Sequence, residues 1–461
     1  MKIDSINPVT YTAKSVPPKI ERTDKKASKI KYIGGGTVAI IATSLILYKN
    51  LQNPYLKNLA KDLSKDLNKK ITPNDLNAVM TKEEFLKIIP TLSEQNYVET
   101  RENLRNGTFL ADLHSHSKFS DGTIQIQELL EQAAAYGNKL AQINNKKFIF
   151  ALSDHDGIEG VKEALRIIAQ NPDKYKNIKF VPAAELSFLT ACQKDSQRYK
   201  NFHSDVQMSE LLIYDINPFS ENTKNFFDNL FQKRRSQLEF SINMANEKLP
   251  ERNFKKEEYE KFFMKEKDNF FFYNQHWRIF NYLNMKNRIS QLAKEQNKNP
   301  DVMFDEILTE MKNHRRGLDV YSLDQFIKYN RIETKTIDRE PEIDIICKNI
   351  FPQKIDENTA FSLYENTFQD IVDYAKKENA ILGFAHPGFT MQNFTEDTCY
   401  IKMQDMIQQS KGSLKLAEKF HQAYPIGKAI SREELNSYNA IIDKLGLINI
   451  GGRDNHTKKF I

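Results

Sequence analysis

Five short apolar runs in this 461-residue chain each end on a histidine or a carboxylate, and no other feature limits its possible folds so strongly. The first is TFLADLHSHSKFSDG, residues 108–122. A strand turns alternate side chains to one face, so His114 and His116 project together, and Asp121, just before Gly122, can fold back beside them. The second, KKFIFALSDHDGIEG, reads as a buried strand over 148–152 that delivers Asp154, His155 and Asp156 into an amphipathic helix predicted over about 158–169. The third, IKFVPAAELS, leads into Glu185. In the fourth, NAILGFAHPG, the run ends on His386 and Pro387 and Gly388 turn the chain. The last, GLINIGGRDNH, passes through two glycines to Asp454 and His456.

Strand ends separated by helices are what a parallel α/β barrel offers, because functional groups gather at the carboxyl ends of its strands. A helix before the fourth strand fits this, since Phe368, Ile371, Val372 and Ala375 follow i, i+3, i+4, i+7. A lone HxH is common by chance, and one histidine before a proline is more often a satisfied loop residue. Five such endings in succession are hard to explain as packing, because each puts ionisable groups where a closed barrel end wants apolar ones. Imidazoles mixed with carboxylates suit hard or borderline divalent cations. Cys192, Cys347 and Cys399 are isolated thiols, which excludes a disulfide framework and a cysteine metal site.

Taken together, DLHSHSKFSDG, SDHDGIEG, PAAELS, AHPG and GGRDNH resemble, in order, the motifs of the polymerase and histidinol phosphatase (PHP) superfamily of metal-dependent phosphoesterases. The resemblance implies a distorted seven-stranded (β/α) barrel carrying two or three divalent ions, usually manganese, zinc, iron or magnesium. Its ligands, carried over position by position, are His114, His116, Asp121, His155, Glu185, His386, Asp454 and His456. The family commonly has a further ligand histidine on the strand after the Glu motif; here MSELLIYDINP puts Glu210 there, and Glu210 is kept as a ligand, with His203 in a nearby polar loop as a substitute. The usual serine of the last motif is Arg453, which can either grip a phosphate oxygen bidentately or face solvent.

Within that superfamily the chain is most similar to the branch of nucleoside 3',5'-bisphosphate phosphatases and 5'-to-3' exoribonucleases. That branch carries a helical insertion opening on an arginine-rich helix. Residues 218–366 correspond to it, between barrel parts at 106–217 and 367–461. Leu238, Ile242, Ala245 and Leu249 form a helical stripe behind Lys233, Arg234 and Arg235. Arg234 and Arg235 are candidate substrate-binding residues with Arg453, although a solvated face is the plainer explanation of the basic trio. The aromatic block NFFFYNQHWRIFNY, residues 269–282, can stack bases through its interleaved Arg278 or simply form the core of a small helical domain, the commoner outcome.

The resemblance implies hydrolysis of phosphate esters, with His155, Asp156 and His456 as candidate proton donors, Asp112 and Asp154 as carboxylates that orient ligand imidazoles, and a phosphorylated nucleotide or short RNA as substrate. With 67 Lys plus Arg against 61 Asp plus Glu, the net charge of +6 gives no field suited to duplex nucleic acid. The rival expectation is a membrane-tethered binding or scaffold protein with a degenerate barrel, motivated by Glu210 and Arg453.

Residues 1–31 read as a disordered tail. The run YIGGGTVAIIATSLILY, residues 32–48, carries no charge and is expected to be a transmembrane anchor. Seven Lys or Arg precede it within twenty residues and four follow, which favours the N-terminus inside; three unpaired cysteines favour a cytoplasmic location instead. Residues 49–105 read as a helical stalk or a barrel-covering element, with Thr81 and Glu84 as a capping box. Nothing in the sequence sets the oligomeric state.

Overall fold

The computed structural model describes residues 53–191, 206–263, 275–314, 318, 320–332, 366–387, 396–420 and 432–457. The expected membrane anchor at 32–48, His203 and residues 269–274 of the aromatic block lie outside the described residues. No helix among the described residues is long and apolar enough to cross a membrane.

The described residues form an α/β structure around one curled sheet of seven strands: β1 (Ala111–Asp112), β2 (Phe148–Leu152), β3 (Ile178–Ala191), β4 (Val206–Tyr214), β5 (Ile381–Phe384), β6 (Leu414–Glu418) and β7 (Ile448–Ile450), in spatial order 1 to 7. Strands β1 to β3 are parallel, as are β5 to β7, whereas β4 runs antiparallel to both neighbours. The all-parallel arrangement expected from the sequence therefore fails at one strand. The two sheet edges meet beyond the strand ends: Leu113 N–H donates to Gly451 O (3.1 Å), Asp454 N–H to His114 O (3.0 Å) and His116 N–H to Asn455 O (3.1 Å).

Period-two alternation builds both faces of this sheet. In β2, Phe148, Phe150 and Leu152 pack outward against helices, while Ile149 and Ala151 point inward. The inward core receives Ala111, Val181, Ala183, Leu212, Tyr214, Ile381, Leu416 and Ile450, so every strand contributes to it. Outside lie α1 (Pro54–Asp66), α3 (Ile126–Asn144) and α4 (Glu159–Gln170), the last burying Val161, Ala164, Leu165 and Ile168 at helical spacing. Truncating a fully buried ring such as Phe150 to alanine costs about 3–5 kcal/mol.

Helix α1 buries Leu56, Leu59 and Leu63 in the same outer core as Phe150, so this part of the chain covers the sheet. Thr81 and Glu84 form the capping box of α2 (Lys82–Ile88): the Thr81 side chain accepts from Glu84 N–H and the Glu84 side chain from Thr81 N–H.

The insertion enters through α5 (Glu221–Lys248), a 28-residue helix started by Ser220, whose hydroxyl accepts from Thr223 N–H. Its first half buries Phe227 and Leu230 on the sheet. Its second half buries Leu238, Ile242 and Ala245 in a separate core with α6 (Lys256–Phe263), α7 (Gln275–Glu295), α8 (Pro300–Asn313) and α9 (Val320–Tyr329). Of the described aromatic block, Ile279 and Tyr282 are fully buried in that core, Tyr282 against Tyr259, Phe262 and Phe304, so Tyr282 is packing and not a base platform. Helix α10 (Phe368–Glu378) returns the chain to β5, and α11 (Glu396–Gln409) and α12 (Arg432–Lys444) precede β6 and β7.

Candidate metal centre

The inward rows of three strands change from apolar to carboxylate at one end of the sheet. In β3, Val181 and Ala183 are followed by Glu185; in β6, Leu416 is followed by Glu418; in the reversed β4, Glu210 precedes Leu212 and Tyr214. His155, four residues beyond inward Ala151, makes a parallel bridge to Glu185.

Glu185 is the common neighbour of four imidazoles. Its Oε2 lies 3.0 Å from His114 Nε2, 3.4 Å from His116 Nε2 and 3.1 Å from His155 Nδ1, and its Oε1 lies 3.0 Å from His386 Nε2. Asp454 Oδ1 stands 3.0 Å from His116 Nε2 and 3.5 Å from His114 Nε2. Asp121 faces His456 Nε2 at 3.1 Å and His155 Nε2 at 3.6 Å. Glu210 closes the far side, 3.5 Å from His386 Nε2 and 4.0 Å from His155 Nδ1.

Among the described residues, three sets of donor atoms lie within 4.8 Å of one another: His116, Asp121, His155 and His456; His114, His116, Glu185 and Asp454; and His155, Glu185 and Glu210. Eight of the nine ligands named from the sequence fall in these sets, and His386 lies against two of their carboxylates.

These residues fit divalent ions on an observation independent of their identity. His116 Nε2, Asp121 Oδ1 and Glu185 Oε1 are buried and make no hydrogen bond. Yet each lies 3.0–3.1 Å from a polar atom of Asp454, His456 or His386. Buried imidazole nitrogens and carboxylate oxygens crowded this closely, and poorly aligned for hydrogen bonds to each other, suit a cation between them.

Backbone strain is concentrated here. Asp156 (φ 47°), His386 (φ 24°) and Asp454 (φ 50°) adopt left-handed conformations that cost roughly 1–3 kcal/mol each in non-glycine residues. Each is held by its own N–H: Asp156 donates to Glu185 O (2.7 Å), His386 to Glu418 Oε2 (2.8 Å) and Asp454 to His114 O (3.0 Å). The last crossing requires glycine at 452, where a Cβ would sit 2.3 Å from His114 Cβ.

The electrostatics follow from burial opposed by neighbouring charge. Burial resists charging of His386, but Glu185, Glu210 and Asp454 overcome it and push its pKa up to about 10. Against the same opposition, Asp121 and Asp454 push His456 up to about 9. Burial prevails at His155, which falls to about 4 despite Glu185 and Asp121. Burial, then the Glu185 charge, raises Glu210 to about 8. Glu185 is buried too, yet His114 and His155 hold it well below the usual carboxylate range.

Several residues named from the sequence take other places. Arg453 neither reaches toward the donor cluster nor faces solvent: its Nε donates to Asp112 Oδ2 (2.7 Å), its Nη1 pairs with Glu99, and its guanidinium lies over the Phe109 ring. Asp112 therefore holds Arg453 and the Ser115 hydroxyl, not an imidazole. Asp154 accepts from Ser117 N–H and from the Ser117 and Ser120 hydroxyls, reaching His116 only through Ser120. Arg234, expected on a solvated face or on substrate, is fully buried and donates to Asp156 Oδ2 at 2.8 Å. Lys233 pairs with Asp370, and of the trio only Arg235 is exposed.

Sequence reasoning missed Glu418, fully buried at the end of β6 with Oε2 3.0 Å from His114 Nδ1. The signal was present: LKLAE is another strand-like run ending on a carboxylate.

The fold and site define an α/β protein with a candidate divalent-metal centre at one end of a curled seven-stranded sheet. No family model matches the chain, and no curated protein matches it. Among solved structures it is similar to a provisionally named metal-dependent phosphoesterase from Bifidobacterium adolescentis, at 15% identity and a TM-score of 0.40, covering 76% of this chain and 88% of that one. It is also similar to an amidohydrolase from Chromobacterium violaceum with bound sulfate and no metal, at 15% identity and a TM-score of 0.39, covering 75% of this chain and 87% of that one. Likeness at this level assigns no activity.

Proposed function

We propose that this protein is a divalent-metal-dependent phosphoesterase acting on phosphorylated nucleotides, such as a nucleoside 3',5'-bisphosphate or a short 5'-phosphorylated RNA. The observation that carries the proposal is the overlap of the three donor sets, each pair of which shares one residue: His116, His155 or Glu185. A carboxylate can serve two cations at once and a single imidazole nitrogen cannot, so Glu185 would be the residue shared between them. His114, His116 and Asp454 would complete one side, and His155 and Glu210 the other.

Divalent ions bound by these residues would supply neutralisation of phosphoryl oxygens and acidification of a water, as phosphoester hydrolysis at neutral pH requires. The protein's own groups divide into floor and rim. His114, His116 and Glu185 are fully buried and form the floor. The His456, Asp121 and Asp454 side chains, 33%, 28% and 23% exposed, form the open side from which substrate enters. His456 Nδ1 is committed to the Asp454 carbonyl at 2.8 Å, which turns Nε2 toward Asp121 at 3.1 Å and leaves it as the nitrogen that would ligate at the rim. Asp156 accepts from Arg234 and from the Ser187 N–H, one on each carboxylate oxygen.

The nucleotide class rests on the sequence resemblance; of the three arginines it names for substrate, only Arg235 is exposed. The scaffold alternative loses its motives, since Glu210 lies within the donor cluster and Arg453 serves an internal ion pair. Anchoring through residues 32–48 is part of the proposal and is tested by fractionating cells that express the chain with and without that run.

The activity test is a substrate panel on the purified chain with manganese, magnesium or zinc: p-nitrophenyl phosphate, a 3',5'-bisphosphonucleotide and a 5'-phosphorylated oligoribonucleotide. Phosphate or nucleotide release with at least one metal is expected. Less than one equivalent of bound metal together with silence on all three substrates would sink the proposal.

A further inference from the structure

Arg234 is the largest fully buried side chain among the described residues, and it sits where α5 passes from the sheet to the insertion core. Its Nη2 donates to Asp156 Oδ2 at 2.8 Å, and both side chains are fully buried. One residue earlier on α5, Lys233 pairs with Asp370 of α10 at 3.2 Å. Two consecutive residues thus fix α5 to a flanking helix on one side and to the loop after β2 on the other.

That loop is fastened to β3 around Glu185. Glu185 N–H donates to Asp154 O (3.2 Å), Asp156 N–H donates to Glu185 O (2.7 Å), and Ser187 N–H donates to Asp156 Oδ1 (2.8 Å). His155 stands between Asp154 and Asp156, its Nδ1 3.1 Å from Glu185. Asp156 keeps φ at 47° within this lattice, so whatever holds its carboxylate also holds the angle at which His155 and Glu185 meet. A buried carboxylate stripped of its guanidinium must find water or a new cation, and either outcome moves the loop.

We infer that Arg234 is a positioning residue: through its ion pair with Asp156, the helical insertion sets the relative placement of His155 and Glu185, and Arg234 does not bind substrate. The inference rests on the proposed metal-dependent function, because what it positions is a pair of metal ligands. It deepens that function by making the insertion a structural part of the metal centre as well as a neighbour of the substrate.

The test measures manganese binding to the full chain by titration calorimetry and, separately, kcat and KM on a bisphosphonucleotide. Arg234→Gln and Asp156→Asn should each weaken manganese binding by about 10- to 100-fold, as loss of a ligand-orienting partner does. They should lower kcat while KM stays within about twofold, the pattern of a lost transition-state arrangement. Arg234→Lys, which restores the charge, should recover much of the affinity. If Arg234→Gln does not fold by circular dichroism, Arg234→Lys and Asp156→Asn carry the comparison. An Arg234→Gln variant that binds manganese as tightly as wild type but shows a raised KM would make Arg234 a substrate ligand and overturn the inference alone. A wild-type chain that binds no manganese, magnesium or zinc would overturn the metal centre itself.

Discussion

His114 and Glu418 are 304 residues apart in the chain, yet Glu418 Oε2 sits 3.0 Å from His114 Nδ1 with both side chains fully buried. The same oxygen accepts the N–H of His386 at 2.8 Å. One carboxylate therefore orients one imidazole through the nitrogen turned away from Glu185 and secures the backbone of a second. Imidazoles that ligate metals usually have such a partner on the far nitrogen, and removing it typically lowers metal affinity 10- to 100-fold. Glu418→Gln should show a loss of that size in manganese titration, with secondary structure preserved by circular dichroism.

Glu185 should behave differently, since it touches His114, His116, His155 and His386 at once. Glu185→Gln removes the one carboxylate that, among the described residues, is common to two donor sets, so bound metal should fall by at least one equivalent in elemental analysis. Turnover should fall on the order of 10²–10³-fold or more, as for loss of one charge-stabilising group. A variant that keeps full metal content would show that Glu185 is not the bridge.

The strand ends were legible because each combines an apolar run with period-two alternation and a terminal ligand-type residue, signals confined to a few neighbours in sequence. Glu210 stands before its apolar run because β4 is reversed, so only the position implied by the family marked it. Glu418 went unnoticed because Lys415 interrupts its apolar run, leaving only four residues of strand-like pattern before the carboxylate. Arg234 and Arg453 were misjudged for a common reason. Their partners, Asp156 and Asp112, are 78 and 341 residues away, and no local pattern distinguishes an arginine bound for a buried carboxylate from one bound for water.

The titrations at the centre predict how chelator-treated protein responds to pH. His386 and His456 have folded pKa values of about 10 and about 9, above the unfolded value of 6.5, so their stabilisation is complete below about pH 6.5 and is lost as pH rises through 9 to 10. Glu210, raised to about 8, acts in the same direction from its unfolded 4.5. His155, lowered to about 4, opposes folding as pH drops below 6.5. The Tm of the chelated protein should therefore decline from about pH 6.5 to pH 10, by about 5 °C or more. Added manganese should raise Tm more at pH 8 than at pH 6, because binding displaces these protons. Scanning calorimetry at several pH values with and without the ion checks both statements.

Arg453 and its neighbours allow a separation between folding and substrate recognition. Its backbone N–H and Nε donate to the two oxygens of fully buried Asp112, at 3.0 and 2.7 Å, and its Nη1 pairs with Glu99. These contacts tie the loop after β7 to β1 and to the segment before it. Arg453→Ala leaves Asp112 as a buried charge without its guanidinium, a change that costs about 3–5 kcal/mol in comparable pairs. Urea unfolding should register that loss, whereas KM for a phosphorylated substrate should stay within about twofold wherever the variant is folded. If Arg453 instead gripped a phosphate, KM would rise tenfold or more while the unfolding midpoint stayed near that of the wild type, reversing the two readouts.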